Sequence, residues 1–231
     1  MVAAWQGGLA GPEWPATVDV AQLLADGWRP APFREFVLKI HSRCDLACDY
    51  CYVYTKADQS WRHQPRVMPR KIADQVAIRI AEHTKVHGLD SVKLILHGGE
   101  PLLAGPGLIR HVVSAVRVAA GSRVEVDSVV QSNGVRLDRA FLDFFLELGI
   151  RVGVSLDGAA AAQDRHRKHA DGRGSHEAVS RAIRLLSSQR YRKLFGGILC
   201  TVDLRNDPVA TYEALLEYGP PMVDFLFPHG N

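Results

Sequence analysis

Cys44, Cys48 and Cys51 put three of the chain's four cysteines within eight residues, in the stretch CDLACDYCYVY. Thiolates are soft ligands, and thiols crowded into one short segment more often hold a metal than a structural disulfide when the chain is not secreted. A structural zinc site takes four ligands, usually from two knuckles far apart in sequence. Here there is one knuckle, and Cys200 lies inside an apolar run; His41, His63 or His97 remain as completing ligands, but no second C-x2-C supports them. A redox C-x-x-C made of Cys48 and Cys51 leaves Cys44 idle. The reading that uses all three thiols is a [4Fe–4S] cluster with one iron left without a protein ligand, an open position at which a small molecule can bind.

The elements that must position this loop come from the hydrophobic pattern. Six short β-branched runs read as strands: residues 35–40, 91–97, 123–131, 150–156, 196–202 and 222–227. Between them lie stripes at helical spacing, all expected to pack in the core: Ile72/Val76/Ile80, Leu108/Val112/Val116, Phe141/Phe145/Leu148, Val179/Ile183/Leu186 and Val209/Tyr212/Leu216. Strict alternation implies right-handed crossovers and a parallel sheet, either an open doubly wound one or a partial (β/α) barrel. Both place ligands at the C-terminal strand ends. The six strand ends lead in turn into the cysteine loop, HGGEP, SNG, SLDG, TVDLRND and PHGN. Polar and glycine-rich chemistry thus recurs on one rim. Residues 1–33 stand apart as an N-terminal arm, with VDVAQLLADG as a short helix, and residues 34–231 form the core barrel.

Length and composition set the frame. The 231 residues suffice for one large α/β domain, and 47% of them are hydrophobic. Lys plus Arg number 28 against 25 Asp plus Glu, a net of +3 spread along the chain rather than in blocks. That balance gives no reason to expect nucleic acid or a membrane surface as partner. No apolar run approaches the ~20 residues of a membrane span. The first residues lack a basic segment followed by an apolar one, so no secretory signal is read and a cytoplasmic location is expected.

C-x3-C-x2-C after the first strand, an aromatic (Tyr50) before the last cysteine, and HGGEP, SNG and SLDG on the next strand ends resemble the radical S-adenosylmethionine (SAM) superfamily. The resemblance implies a partial (β/α)6 TIM-like barrel with Cys44, Cys48 and Cys51 on a single [4Fe–4S] cluster. It implies SAM on the free iron, cleaved reductively to a 5′-deoxyadenosyl radical that takes a hydrogen atom from the substrate. It also implies SAM contacts at Tyr50, Gly98, Gly99, Glu100, Ser132, Asn133, Ser155 and Arg167. Glu100 is expected as counter-charge to the methionyl ammonium, and the two glycines as bare backbone against the ligand. Arg165 competes with Arg167 for the carboxylate. Asp157, Asp203 and His229 stand on the rim, with Asp157–Gly158 also readable as a turn. Cys200 reads as a small buried hydrophobe.

Longer segments, among them LHGGEPLLAG and DRHRKHADGRGSHEAV, resemble the cyclophane-forming radical SAM/SPASM peptide maturases. That likeness implies side-chain cross-linking in a ribosomally made precursor peptide, with flavodoxin or ferredoxin as electron donor. The alternatives are an enzyme of the anaerobic sulfatase-maturating type, which makes formylglycine, and a truncated, non-catalytic Fe–S or peptide-binding module. The cysteines of a SPASM extension are missing by Asn231, so a fragment or a partner chain is expected.

Overall fold

A computed structural model describes residues 18–227; His229 and the rest of the PHGN end lie outside the described residues, as does the start of the arm. The chain divides into two compact units, Met1–Phe33 and Arg34–Asn231. In the first, Val20–Ala25 forms α1, started by Asp19, whose carboxylate accepts from the Gln22 N–H at 3.0 Å.

In the second unit six strands alternate with helices. The strands are β1 (Glu35–His41), β2 (Ser91–Gly98), β3 (Glu125–Ser132), β4 (Ile150–Ser155), β5 (Phe195–Thr201) and β6 (Val223–Leu226). They lie in one sheet in sequence order, each parallel to the next. A doubly wound sheet reverses its strand order part way. This one never does, so it winds in one sense as a partial (β/α)6 barrel.

The connections are α2 (Arg70–His87), α3 (Gly105–Ala120), α4 (Arg139–Leu148), α5 (Ala160–His166), α6 (His176–Leu186) and α7 (Pro208–Leu216). Left-handed glycines end two of them, Gly88 after α2 and Gly149 after α4. The core lies between sheet and helices, where Ile40, Leu94, Leu96, Ile109, Val112, Phe145, Val154 and Ile183 are buried. Residues 101–120 are long and apolar enough to cross a membrane by length and composition. Ile109, Val112, Val113 and Val116 of that stretch are buried in the core instead.

Two of the expected stripes differ. Ile72 is exposed, and only Ile80 of its stripe is buried. Val209, Tyr212 and Leu216 of α7 are all exposed, the helix packing through Leu215. Spacing by three or four identifies a helix face but not which face meets the sheet.

Candidate cofactor site

The last inward-facing residue of each strand sets the chemistry of the rim. His97, Gln131, Ser155 and Thr201 line a cavity of about 210 Å³ together with Cys44, Cys48 and Cys51. Tyr50, Gly98, Gly99, Ser132, Asn133 and Arg167 complete that wall, so of the expected site residues only Glu100 is missing from it.

Glu100 sits one layer behind, fully buried. Its carboxylate accepts from the Leu102 N–H at 2.9 Å, the Ser132 hydroxyl at 3.0 Å and the Asn133 N–H at 2.8 Å. Burial pushes its carboxyl up to about 7, against the pull of those three bonds. The expected counter-charge to an ammonium is thus, in the first place, a clamp between the ends of β2 and β3. Ser132 and Asn133 line the cavity and also act as supports. The Ser132 hydroxyl is committed to Glu100 and accepts from the Gly134 N–H at 3.0 Å. The Asn133 amide donates to Asp45 at 2.8 Å and to the Cys44 sulfur at 3.6 Å, bracing the cysteine loop.

The glycines are crowded on their Cβ side. A Cβ on Gly98 would stand 2.2 Å from the His41 carbonyl oxygen, and one on Gly99 2.0 Å from Tyr54 Oη and 2.4 Å from the Arg43 carbonyl oxygen. The chain leaving β1 fills the space on that side, and both glycines also border the cavity.

On the opposite wall, Asp157 is a hub. Its side chain is 3% exposed and accepts from the Tyr50 hydroxyl, from Arg167 Nε at 2.9 Å and from the Thr201 N–H at 2.9 Å. Arg167 lies over the Tyr50 ring, 5.8 Å from its centroid. Burial opposes the charge on Arg167, but Asp157, Tyr50 and Cys48 together outweigh it, so the guanidinium stays cationic. Burial, then the neighbouring Asp157, hold the Tyr50 phenol protonated. Arg167 borders the cavity, and its Nη1 and Nη2 make no hydrogen bond to any described residue. A carboxylate is the ligand such a fork fits. Arg165 is bonded to Asp203 at 2.6 Å and Asn206 at 2.7 Å, and of the two arginines Arg167 is the one that borders the cavity.

Sequence reasoning misses Gln131 and Thr201 outright, gives His97 only as a possible zinc ligand, and undervalues Asp157. Gln131 donates to Ser155 Oγ at 3.1 Å. The His97 ring accepts from the Gly98 N–H at 2.8 Å, and burial lowers its pKa. Thr201 faces the cavity beside them, and Asp157 is far more than half of an Asp–Gly turn. The first three repeat one signal, a polar residue at the final inward position of an alternating strand.

The donor set fits an iron–sulfur cluster. All four cysteines are free thiols. Burial pushes Cys44 up to about 12 and Cys48 up to about 11, so cationic metal must be present for them to be thiolates. Among the described residues no three His, Cys, Asp or Glu side chains converge on a point as ligands of one ion. Tyr54 Oη, next to the glycine turn, is buried with no partner among the described residues, an orphan that points to a missing group.

A half-open parallel barrel with three cysteines and a buried arginine at its C-terminal rim offers a place for a metal cofactor and an anionic ligand. The family model for the radical SAM superfamily matches residues 38–219, and the chain belongs to that superfamily. Its cofactors are a [4Fe–4S] cluster and SAM. Over 211 residues the chain is 32% identical to the serine-type anaerobic sulfatase-maturating enzyme of Klebsiella aerogenes, covering 88% of this chain and 48% of that protein. It is 25% identical over 171 residues to the cysteine-type enzyme of Clostridium perfringens, covering 74% of this chain and 44% of that one. The chain therefore spans about half the length of these relatives. The solved structure "Native anSMEcpe with bound AdoMet and Kp18Cys peptide" superposes with a TM-score of 0.72 at 22% identity, covering 84% of this chain and 51% of the other. That likeness establishes the fold.

Proposed function

We propose that this chain is the catalytic core of a radical SAM enzyme that oxidises a Cys or Ser side chain of a polypeptide substrate to formylglycine. The observation that carries the reading is its 32% identity, over 88% of its length, to a sulfatase-maturating enzyme. Side-chain cross-linking, the expectation drawn from sequence likeness, has less support, because the relatives named for a reaction are sulfatase-maturating enzymes.

In this reading Cys44, Cys48 and Cys51 hold the cluster, and Arg167 with Ser155 holds the carboxylate of SAM. A cluster held there would supply the electron that cleaves SAM and so starts hydrogen-atom abstraction from the substrate. Asp157 keeps Arg167 charged and aimed, and Tyr50 stays protonated. Glu100, Ser132 and Asn133 keep the cysteine loop in register with β3. An external electron donor and the polypeptide are the partners.

The test is anaerobic reconstitution with iron and sulfide, then SAM, dithionite and a peptide carrying the Cys or Ser of a sulfatase motif. Formation of 5′-deoxyadenosine with an aldehyde that reacts with a hydrazine supports the reading. Loss of two hydrogens without an aldehyde redirects it to cross-linking. A loaded cluster that never yields 5′-deoxyadenosine leaves only the non-catalytic binding module.

A further inference from the structure

The three sulfurs of the cysteine loop do not meet the same surroundings. The Cys44 sulfur accepts from the Leu46 N–H at 3.4 Å and from Asn133 Nδ2 at 3.6 Å. Among the described residues no hydrogen bond reaches the sulfur of Cys48 or Cys51. The buried Asn133 amide is held in one orientation. Its Oδ1 accepts from the Val135 N–H at 2.9 Å, so its two N–H bonds go to Asp45 Oδ1, at 2.8 Å, and to the sulfur.

An opposing charge stands at the same sulfur. Asp45 Oδ1 lies 3.9 Å from Cys44 Sγ, and the aspartate side chain is only 16% exposed. Arg136 Nε donates to its other carboxylate oxygen at 2.8 Å, from a side chain about half in solvent. Asp45 therefore has two effects on Cys44. It steadies the donor that favours negative charge on the sulfur, and it places a carboxylate there that opposes such charge.

An iron–sulfur cluster that gains an electron carries part of the added charge on its sulfurs. An N–H donated to a sulfur stabilises that charge and raises the reduction potential, whereas a nearby carboxylate repels it and lowers the potential. We propose that Asn133 and Asp45 form an opposed pair that sets the reduction potential of the cluster through the Cys44 sulfur. The control acts at one corner because Cys48 and Cys51 have no comparable donor. It presumes Cys44 as a cluster ligand, and it is independent of which side chain the enzyme modifies.

The test is a redox titration of the reconstituted full chain without SAM, followed by EPR of the reduced cluster. Iron content is measured on every sample. N133A should keep its iron and shift the ratio of reduced to oxidised cluster, at a fixed potential, roughly tenfold toward oxidised, equivalent to a midpoint about 59 mV lower. D45N removes the charge but keeps an oxygen to accept from the Asn133 amide, so it should shift the ratio the opposite way. Loosening of the loop would move both variants alike, since both side chains brace it. In a chain labelled with 15N-asparagine, the reduced cluster should show a 15N hyperfine coupling that N133A erases. Shifts of the same sign, an unchanged ratio in either variant, or no 15N coupling overturns the proposal. If N133A loses its iron, the sign of the D45N shift and the coupling in the unaltered chain decide. Loss of iron from both variants overturns it too, because the pair is then only a brace. A C44A chain that keeps full iron removes the premise instead, a failure that iron content alone reports.

Discussion

The two ends of the barrel carry charged groups in opposite ways. At the N-terminal strand ends Glu35 pairs with Lys93 at 2.9 Å and Asp127 pairs with Arg151, all with side chains more than a third exposed. At the C-terminal ends Glu100 and Asp157 are buried, each accepting three hydrogen bonds that include at least one from a backbone N–H. Water can replace either partner of an exposed pair, so such pairs contribute little. A buried carboxylate has no such substitute, and removing it strands its donors. The same residue types therefore decorate one rim and fix the geometry of the other.

The comparison breaks most visibly at the cysteines. Replacing Cys44, Cys48 or Cys51 by Ala should abolish the brown absorbance of the reconstituted cluster, while C200A, altering a buried strand residue, should keep full iron content. A Cys44, Cys48 or Cys51 variant that retained its iron would remove that residue from the ligand set. Next comes Asp157→Ala, which leaves the 11%-exposed side chain of Arg167 without its counter-charge. We expect a loss of about 3–5 kcal/mol in urea unfolding. A cost no larger than that of an exposed pair would erase the distinction between the two rims.

How much of this is legible in the sequence depends on the range of the interactions. The strands and the composition of their ends are local, and the alternating runs locate all six. Helix α5 leaves no signal because AAAQDRH has no apolar stripe; its one buried residue is polar Gln163, which accepts from the Asp157 N–H at 2.9 Å. Its end at His166 sends Arg165 outward to Asp203 and lets Arg167 turn in, a choice two neighbouring arginines cannot declare. Asp157 reads as half of an Asp–Gly turn because its partners Tyr50 and Thr201 stand 107 and 44 residues away. Gly98 and Gly99 mark the right place in the sequence, but what crowds them is the chain leaving β1, which only the fold brings there.

Glu100 sharpens the contrast through pH. Its carboxyl titrates at about 7 in the folded chain against about 4.5 unfolded, so between those values the native state holds the extra proton. Stability of the cofactor-free protein should therefore fall as pH rises through that window, by about 3 kcal/mol, and level off above it. E100Q has no proton to lose, so its unfolding free energy should lack that slope. An unchanged slope in E100Q would place the titration on another group.

The smallest effect belongs to the other rim. Lys93→Met keeps the stem of the side chain and removes only the charge that meets Glu35, at a site where the lysine side chain is 39% exposed and the glutamate 59%. Each ion regains hydration when the pair is broken, and salt already screens it, so the cost should stay below about 1 kcal/mol and shrink further at high ionic strength. Comparing K93M with D157A in one urea series holds chain length and unfolded state nearly constant. What separates the two variants is then burial of the charge left behind, which is the physical difference between the ends of this barrel.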